Sequence, residues 1–196
     1  AVLGANAPAQ LGGIVGGRKK PHQQSRAGHA NVAARAALCN LKMLLLPPLS
    51  LYIHIPWCVR KCPYCVLHSA TEDGFQDAAY VKHFLADLEH DLPFVQGRAL
   101  RSIFFGGGTP SIFSAQAIAA ILQGVQQRIP FAEDIEITLE ANPGTAEAEK
   151  FVGFRTAGVN RLSIGVQSFS ENHLRALGRI HNGAEAARAV AMAKAA

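Results

Sequence analysis

Leu51-Tyr-Ile-His-Ile-Pro-Trp-Cys-Val-Arg-Lys-Cys-Pro-Tyr-Cys65 decides how the rest of the chain is read. Leu51 to Ile55 alternate as a strand, Pro56 stops it, and three cysteines follow within eight residues. Beyond that loop, Tyr80, Val81, Phe84, Leu85 and Leu88 recur at helical spacing. Ser102-Ile-Phe-Phe105 is a short apolar strand that runs into Gly106-Gly-Gly108. Ser114 can cap a helix whose Ile118, Ile121, Leu122, Val125 and Ile129 mark one buried face, and Pro130 ends it. Glu136 to Glu140 predict a third strand, 146–157 a helix closed by Gly158, and Arg161 to Val166 a fourth strand. Short helices follow from about 171 and about 183; in the last, Ala184, Ala187, Val190 and Ala191 are expected to cover part of the sheet edge. Four strand–helix alternations imply parallel strands with helical crossovers, hence an α/β sheet or barrel. A complete eight-stranded barrel takes about 250 residues, so four units predict a partial one. The terminal Ala-Lys-Ala-Ala carries no helix-stop signal, which fits a truncated chain.

The composition suits this reading. The 196 residues are 49% hydrophobic, 17% charged and 7% aromatic, as expected of a folded domain rather than a disordered or fibrous chain. No apolar run reaches the roughly 18 residues of a transmembrane span. The net charge of +5 suggests a nucleic-acid partner until its distribution is considered. Residues 1–42 hold six of the 19 Lys and Arg and no acid, which leaves 43–196 close to neutral. No nucleic-acid partner is therefore expected. The leader, 1–42, is Ala- and Gly-rich, without helical or strand period, and is expected to be irregular. Two origins stay open: an upstream extension before a natural start at Met43, with the protein cytoplasmic, or a mitochondrial transit peptide, although Ser25 is its only serine. Cys39 lies in this segment as a bystander.

Cys58, Cys62 and Cys65 form a C-x3-C-x2-C triplet. Three close thiolates can hold three irons of a [4Fe–4S] cluster and leave the fourth iron open for a ligand. S-adenosylmethionine (SAM) can chelate such an open iron, and one electron from the cluster then yields a 5′-deoxyadenosyl radical. Two other readings stand beside this one. His68 completes a possible Cys3His zinc site with the same cysteines, and a disulfide pair with a free thiol also uses three. Tyr64 either packs the loop or, with a cluster present, lies against the adenine. Gly106 to Thr109 leave the second strand where parallel α/β proteins build sites, and glycine lets backbone approach a ligand closely. Glu140 and Gln167 end the next two strands and should project over the same face, offering a carboxylate and an amide to hydroxyl groups.

These residues, with Leu139-Glu-Ala-Asn-Pro-Gly144, Asn160-Arg-Leu-Ser-Ile-Gly-Val-Gln-Ser-Phe169 and Leu177-Gly-Arg-Ile-His181, resemble the radical SAM proteins related to oxygen-independent coproporphyrinogen III oxidase. The resemblance covers about 43–196, and Met43-Leu-Leu-Leu-Pro-Pro-Leu-Ser50 is similar to the start of the haem-chaperone (HemW) branch. It implies a partial TIM-like radical SAM barrel, truncated at its carboxy terminus. It implies that Cys58, Cys62 and Cys65 ligate the cluster and that Tyr52, Tyr64, Gly107, Gly108, Thr109, Glu140, Gln167 and Arg179 contact SAM. It also implies haem or a porphyrinogen as partner and a flavodoxin-type electron donor, while the unpaired last strand of a partial barrel predicts self-association of a truncated chain. The oxidase branch carries a further cysteine where Leu67 stands, so the chaperone reading leads and propionate decarboxylation is second. Val66-Leu67 also replaces the branch's usual Asp-Phe, which removes a carboxylate beside the cluster.

Overall fold

The computed structural model describes residues 2–5, 46–71, 76–143 and 148–196. Leu49, Leu51, Ile53 and Ile55 alternate with Ser50, Tyr52 and His54 along β2 (Leu49–Ile55), and this alternation sets the layering. The first set is buried in the core beneath the helices; the second faces the other side of the sheet. β3 (Leu100–Gly107), β4 (Phe131–Ala141) and β5 (Arg161–Ile164) follow in spatial order β2-β3-β4-β5, all parallel. Tyr52 stands beside Phe104, which stands beside Thr138; one layer above, His54 pairs with Gly106, while Glu140 on β4 pairs with Ser163. Gly106 and Glu140, two of the strand-end residues named from the sequence, therefore share one rim.

Three strands differ from the expectation: β5 stops at Ile164, short of Val166, which leaves Gln167 in the turn beyond it rather than at the strand end. β4 begins at Phe131, because Leu100 pairs with Phe131 and Ser102 with Glu136, so the intervening Ala132 to Ile135 bulge opposite a single β3 residue. Glu133 and Asp134 in that bulge are poor strand formers, which hid the extension. The leader also supplies a strand: β1 (Val2–Ala5) runs antiparallel to β2, with Val2 opposite Tyr52 and Ala5 opposite Leu49. Pairing of this kind satisfies the open backbone edge of β2 and needs no side-chain pattern. The other expectations for the leader, Cys39 included, lie outside the described residues.

The helices cover one face. α1 (Asp77–Asp91) buries Phe84 and Leu88, and α2 (Ala115–Gln126) buries Ile118, Ile121, Leu122 and Val125. Ser114 caps α2 by accepting the Ala117 N–H at 3.1 Å, and donates its own hydroxyl to Asp77 at the start of α1. α3 (Ala148–Ala157) buries Phe151 and Phe154 and ends at Gly158, whose φ of +115° suits glycine. α4 (Glu171–Ala176) is short; α5 (Gly183–Ala195) starts with a reciprocal Asn182–Glu185 capping box. Its buried stripe is a correction to the expected face. Ala186 and Ala189 are buried, with Met192 and Ala193 against the core, whereas Ala184, Ala187 and Ala191 are exposed. In a helix this rich in alanine, apolarity cannot mark a face, and the capping box sets the phase instead.

Among the described residues, β5 has a strand neighbour on one side only and forms an edge of the sheet. Asn160 fixes its entry: its side chain accepts from Ile137 N–H at 2.7 Å and donates to the Ile135 carbonyl at 2.8 Å, as an extra strand residue would. A cavity of about 490 Å³ lies beside β5, lined by Phe151, Phe154, Leu162, Ile164 and Val190 among others.

Candidate functional site

The cysteine loop leaves β2 at Pro56 and is tied down at both ends by backbone pairing. Cys58 N–H donates to the Ala70 carbonyl, and Ala70 N–H to that of Pro56. The end of β3 locks onto the same loop: Gly108 N–H donates to Ile55 and Thr109 N–H to Trp57, both at 2.7 Å. This explains the glycines more directly than a ligand does. A Cβ on Gly108 would sit 2.3 Å from the Trp57 carbonyl oxygen, and one on Gly107, whose φ is +109°, would meet the His54 ring at 2.8 Å.

Around this junction lies a cavity of about 280 Å³, near the lower limit of small-molecule sites. Its lining includes Cys58, Cys62, Tyr64, Cys65, Gly107, Gly108, Thr109, Glu140, Gln167 and Arg179. Only Tyr52 among the residues expected to hold the cluster or SAM is absent from the lining. It lies below on β2, its hydroxyl 3.3 Å from His54 Nδ1, and burial and the Glu140 charge both raise its pKa. Glu140 is itself pushed up by burial, against the lowering effect of a hydrogen bond from Gly107 N–H. Tyr64 directs its hydroxyl to Cys62 and Arg179. Burial raises its pKa first; Arg179 opposes this and Cys62 adds to it.

Arg179 joins the parts. Its guanidinium donates to Cys62 Sγ at 3.4 Å, to Asn142 Oδ1 at 2.7 Å and to the Gly165 carbonyl at 2.7 Å. Asn142 in turn donates to Thr109 Oγ1 at 3.1 Å. Sequence reasoning did not single out Asn142 or Arg60, which also line the cavity. Asn142's position one residue past β4, inside Glu-Ala-Asn-Pro, was the available signal.

The donor set decides what could be held here. All three described cysteines are free thiols. His68 does not line the cavity; its side chain is exposed and its carbonyl accepts from His54 Nε2 at 2.8 Å. Among the described residues, no three His, Cys, Asp or Glu side chains gather closely enough to hold one metal ion. A zinc ion needs its ligands within about 2.0–2.3 Å of one centre, whereas in an iron–sulfur cluster each thiolate caps a different iron. Three soft thiols around an open cavity, with a guanidinium beside them, fit the cluster.

The Radical SAM superfamily model matches residues 52–196. The chain belongs to the radical SAM superfamily. Membership brings SAM and an iron–sulfur cluster as the family's cofactors. The chain is 57% identical over 152 residues to the heme chaperone HemW of Escherichia coli, covering 77% of this chain and 40% of that one. It is 39% identical over 145 residues to the mitochondrial radical S-adenosyl methionine domain-containing protein 1 of Bos taurus, covering 74% and 33%. Among solved structures, coproporphyrinogen III oxidase (HemN) of Escherichia coli, a radical SAM enzyme, superposes with a TM-score of 0.69 at 28% identity, covering 76% of this chain and 34% of that one. The four parallel strands with their alternating helices are thus a partial TIM-like radical SAM fold, and this chain spans about two fifths of the HemW length. Among the described residues, no helix is long and apolar enough to cross a membrane.

Proposed function

We propose that Cys58, Cys62 and Cys65 hold a [4Fe–4S] cluster with one open iron, that SAM binds beside it, and that the protein handles haem as a HemW-type chaperone. The observation that supports this best is the meeting of three thiols from one loop with Glu140, Gln167 and Arg179 from three later segments on one cavity. When bound, the cluster and SAM supply one-electron cleavage of a carbon–sulfur bond. The chain's own residues supply recognition. Arg179 offers a charged donor to a carboxylate, next to the cysteine it already touches. Glu140 offers acceptors to an ammonium or to ribose hydroxyls, and Gln167 can both donate and accept. Haem as ligand rests on the HemW relatives. A flavodoxin-type donor would reduce the cluster, and the cytoplasm would be the working compartment.

Anaerobic reconstitution tests the reading. About four irons per chain and a broad absorption near roughly 400 nm are expected of thiolate-bound clusters, both lost in Cys62→Ser. One bound zinc without iron, released by changing His68, would refute it. The HemN likeness keeps propionate decarboxylation of coproporphyrinogen III as a second reading. Leu67 stands where that branch carries a cysteine, and stoichiometric haem binding without porphyrinogen turnover by the full-length protein would decide for the chaperone.

A further inference from the structure

We infer that His181 is a positioning residue that holds Gln167 in its cavity-lining conformation. The inference rests on the SAM site proposed above and concerns a side chain outside it. Gln167 has φ +65°, uncommon for a residue other than glycine. Ser168 N–H donates to the Val166 carbonyl at 2.8 Å and closes a three-residue turn centred on Gln167. This classic γ-turn is rare and strained, and such backbone persists only where its surroundings over-determine it.

His181 supplies that restraint. Its Nε2 lies 3.0 Å from the same Val166 carbonyl, and only 4% of the residue is exposed. A nitrogen facing a carbonyl must carry the hydrogen, so the neutral ring donates from Nε2 and leaves Nδ1 unprotonated. Nδ1 is buried without a hydrogen-bond partner, so the ring is not held there for a second bond. Two residues earlier, Arg179 takes the preceding carbonyl, that of Gly165. Successive carbonyls of the β5 exit are thus claimed by two side chains of one short segment. That segment is anchored in turn, because Asn182 caps α5, whose Ala186 and Ala189 are buried. The imidazole does not line the 280 Å³ cavity; it borders a separate one with Glu171, Leu174 and Arg175. Its influence on the site runs through the Val166 carbonyl.

The test compares His181→Phe, which keeps a ring and loses the donor, with His181→Gln, whose amide nitrogen can take the place of Nε2. In the full chain, His181→Phe should speed hydrogen exchange of the Ser168 amide, before any cofactor is added. After anaerobic reconstitution it should retain wild-type iron while binding SAM roughly five- to tenfold more weakly, the worth of one net hydrogen bond. His181→Gln should restore both. In a Gln167→Gly background, His181→Phe should weaken SAM no further. If His181→Phe does not fold, His181→Asn, too short to reach Val166, takes its place with the same expectations. Unchanged exchange at Ser168, or SAM affinity equal to wild type, overturns the inference. A wild-type chain that holds iron and ignores SAM refutes the proposed function instead, and the exchange measurement still judges His181.

Discussion

Replacing Gly108 with Ala should move the cysteine loop as well as destabilise the domain. Its φ is not in the left-handed region, so the cost is steric. The new Cβ would lie 2.3 Å from the Trp57 carbonyl oxygen and 2.6 Å from its carbon, backbone atoms that no rotamer change can clear. Reaching an ordinary carbon–oxygen contact takes about 1 Å of movement between β3 and the loop. Overpacking of this kind costs about 1–3 kcal/mol. The shift also breaks the Gly108–Ile55 and Thr109–Trp57 hydrogen bonds, each worth about 1 kcal/mol net. The expected loss is about 3–5 kcal/mol out of a typical 5–15, read as a melting temperature lower by roughly 10 °C. Gly97→Ala is the control. Its φ of +74° carries a backbone cost of about 1–2 kcal/mol, and nothing lies within 4 Å of the added methyl. Thermal melts of both variants, with iron content after anaerobic reconstitution, make the comparison. Gly108→Ala should lose stability and iron together, and Gly97→Ala should lose a little stability and no iron. A Gly108→Ala protein as stable and as iron-loaded as Gly97→Ala would refute the reasoning.

Asn142→Leu removes the link between Thr109 and Arg179; iron should stay at wild-type content while SAM affinity, read by calorimetry, falls about tenfold or more. Burial holds the His181 imidazole below its usual range, with the Val166 carbonyl and Glu185 opposing and Arg179 reinforcing. The unfolded chain therefore takes up a proton near pH 6.5 before the folded one does. Stability should be full above that pH and decline as it is lowered, and urea titrations of wild type and His181→Gln should differ in slope below pH 6.5. Deleting residues 1–42 removes the β1–β2 pairing but none of the cavity-lining residues among those described, so iron per chain should be unchanged while the melting temperature drops. The open β5 edge and its 490 Å³ apolar-lined cavity should make the isolated chain self-associate, visible in light scattering as a mass that rises with concentration.

The elements legible in the sequence were those with contrast. Ile118, Ile121, Leu122 and Val125 recur at helical spacing between a serine cap and a proline, and β2 alternates for seven residues. The cysteine triplet and the polar strand ends were legible for the same reason, because each interrupts an apolar pattern where the pattern ends. What stayed hidden depends on register between distant segments. Asn142 acquires its role only when Thr109 and Arg179 reach it from 33 and 37 residues away. Asn160 reads as a loop residue until β4 lies beside it, and His181 until Val166 does. α5 has too little polarity contrast to show a face, and β1 pairs through backbone alone.

The Arg179–Cys62 contact joins residues 117 positions apart. That distance is also a delay. At about 5–20 residues per second, the cysteine loop leaves the ribosome roughly 6–23 s before the arginine that will stand beside it. The thiols emerge first, the β3, β4 and β5 ends that wall the cavity follow one by one, and the guanidinium comes last. Cluster delivery to the nascent loop would meet an open, oxidisable site, whereas delivery after release would meet a walled one. If these cysteines hold the proposed cluster, delivery after the chain has closed around its first loop meets the walled site.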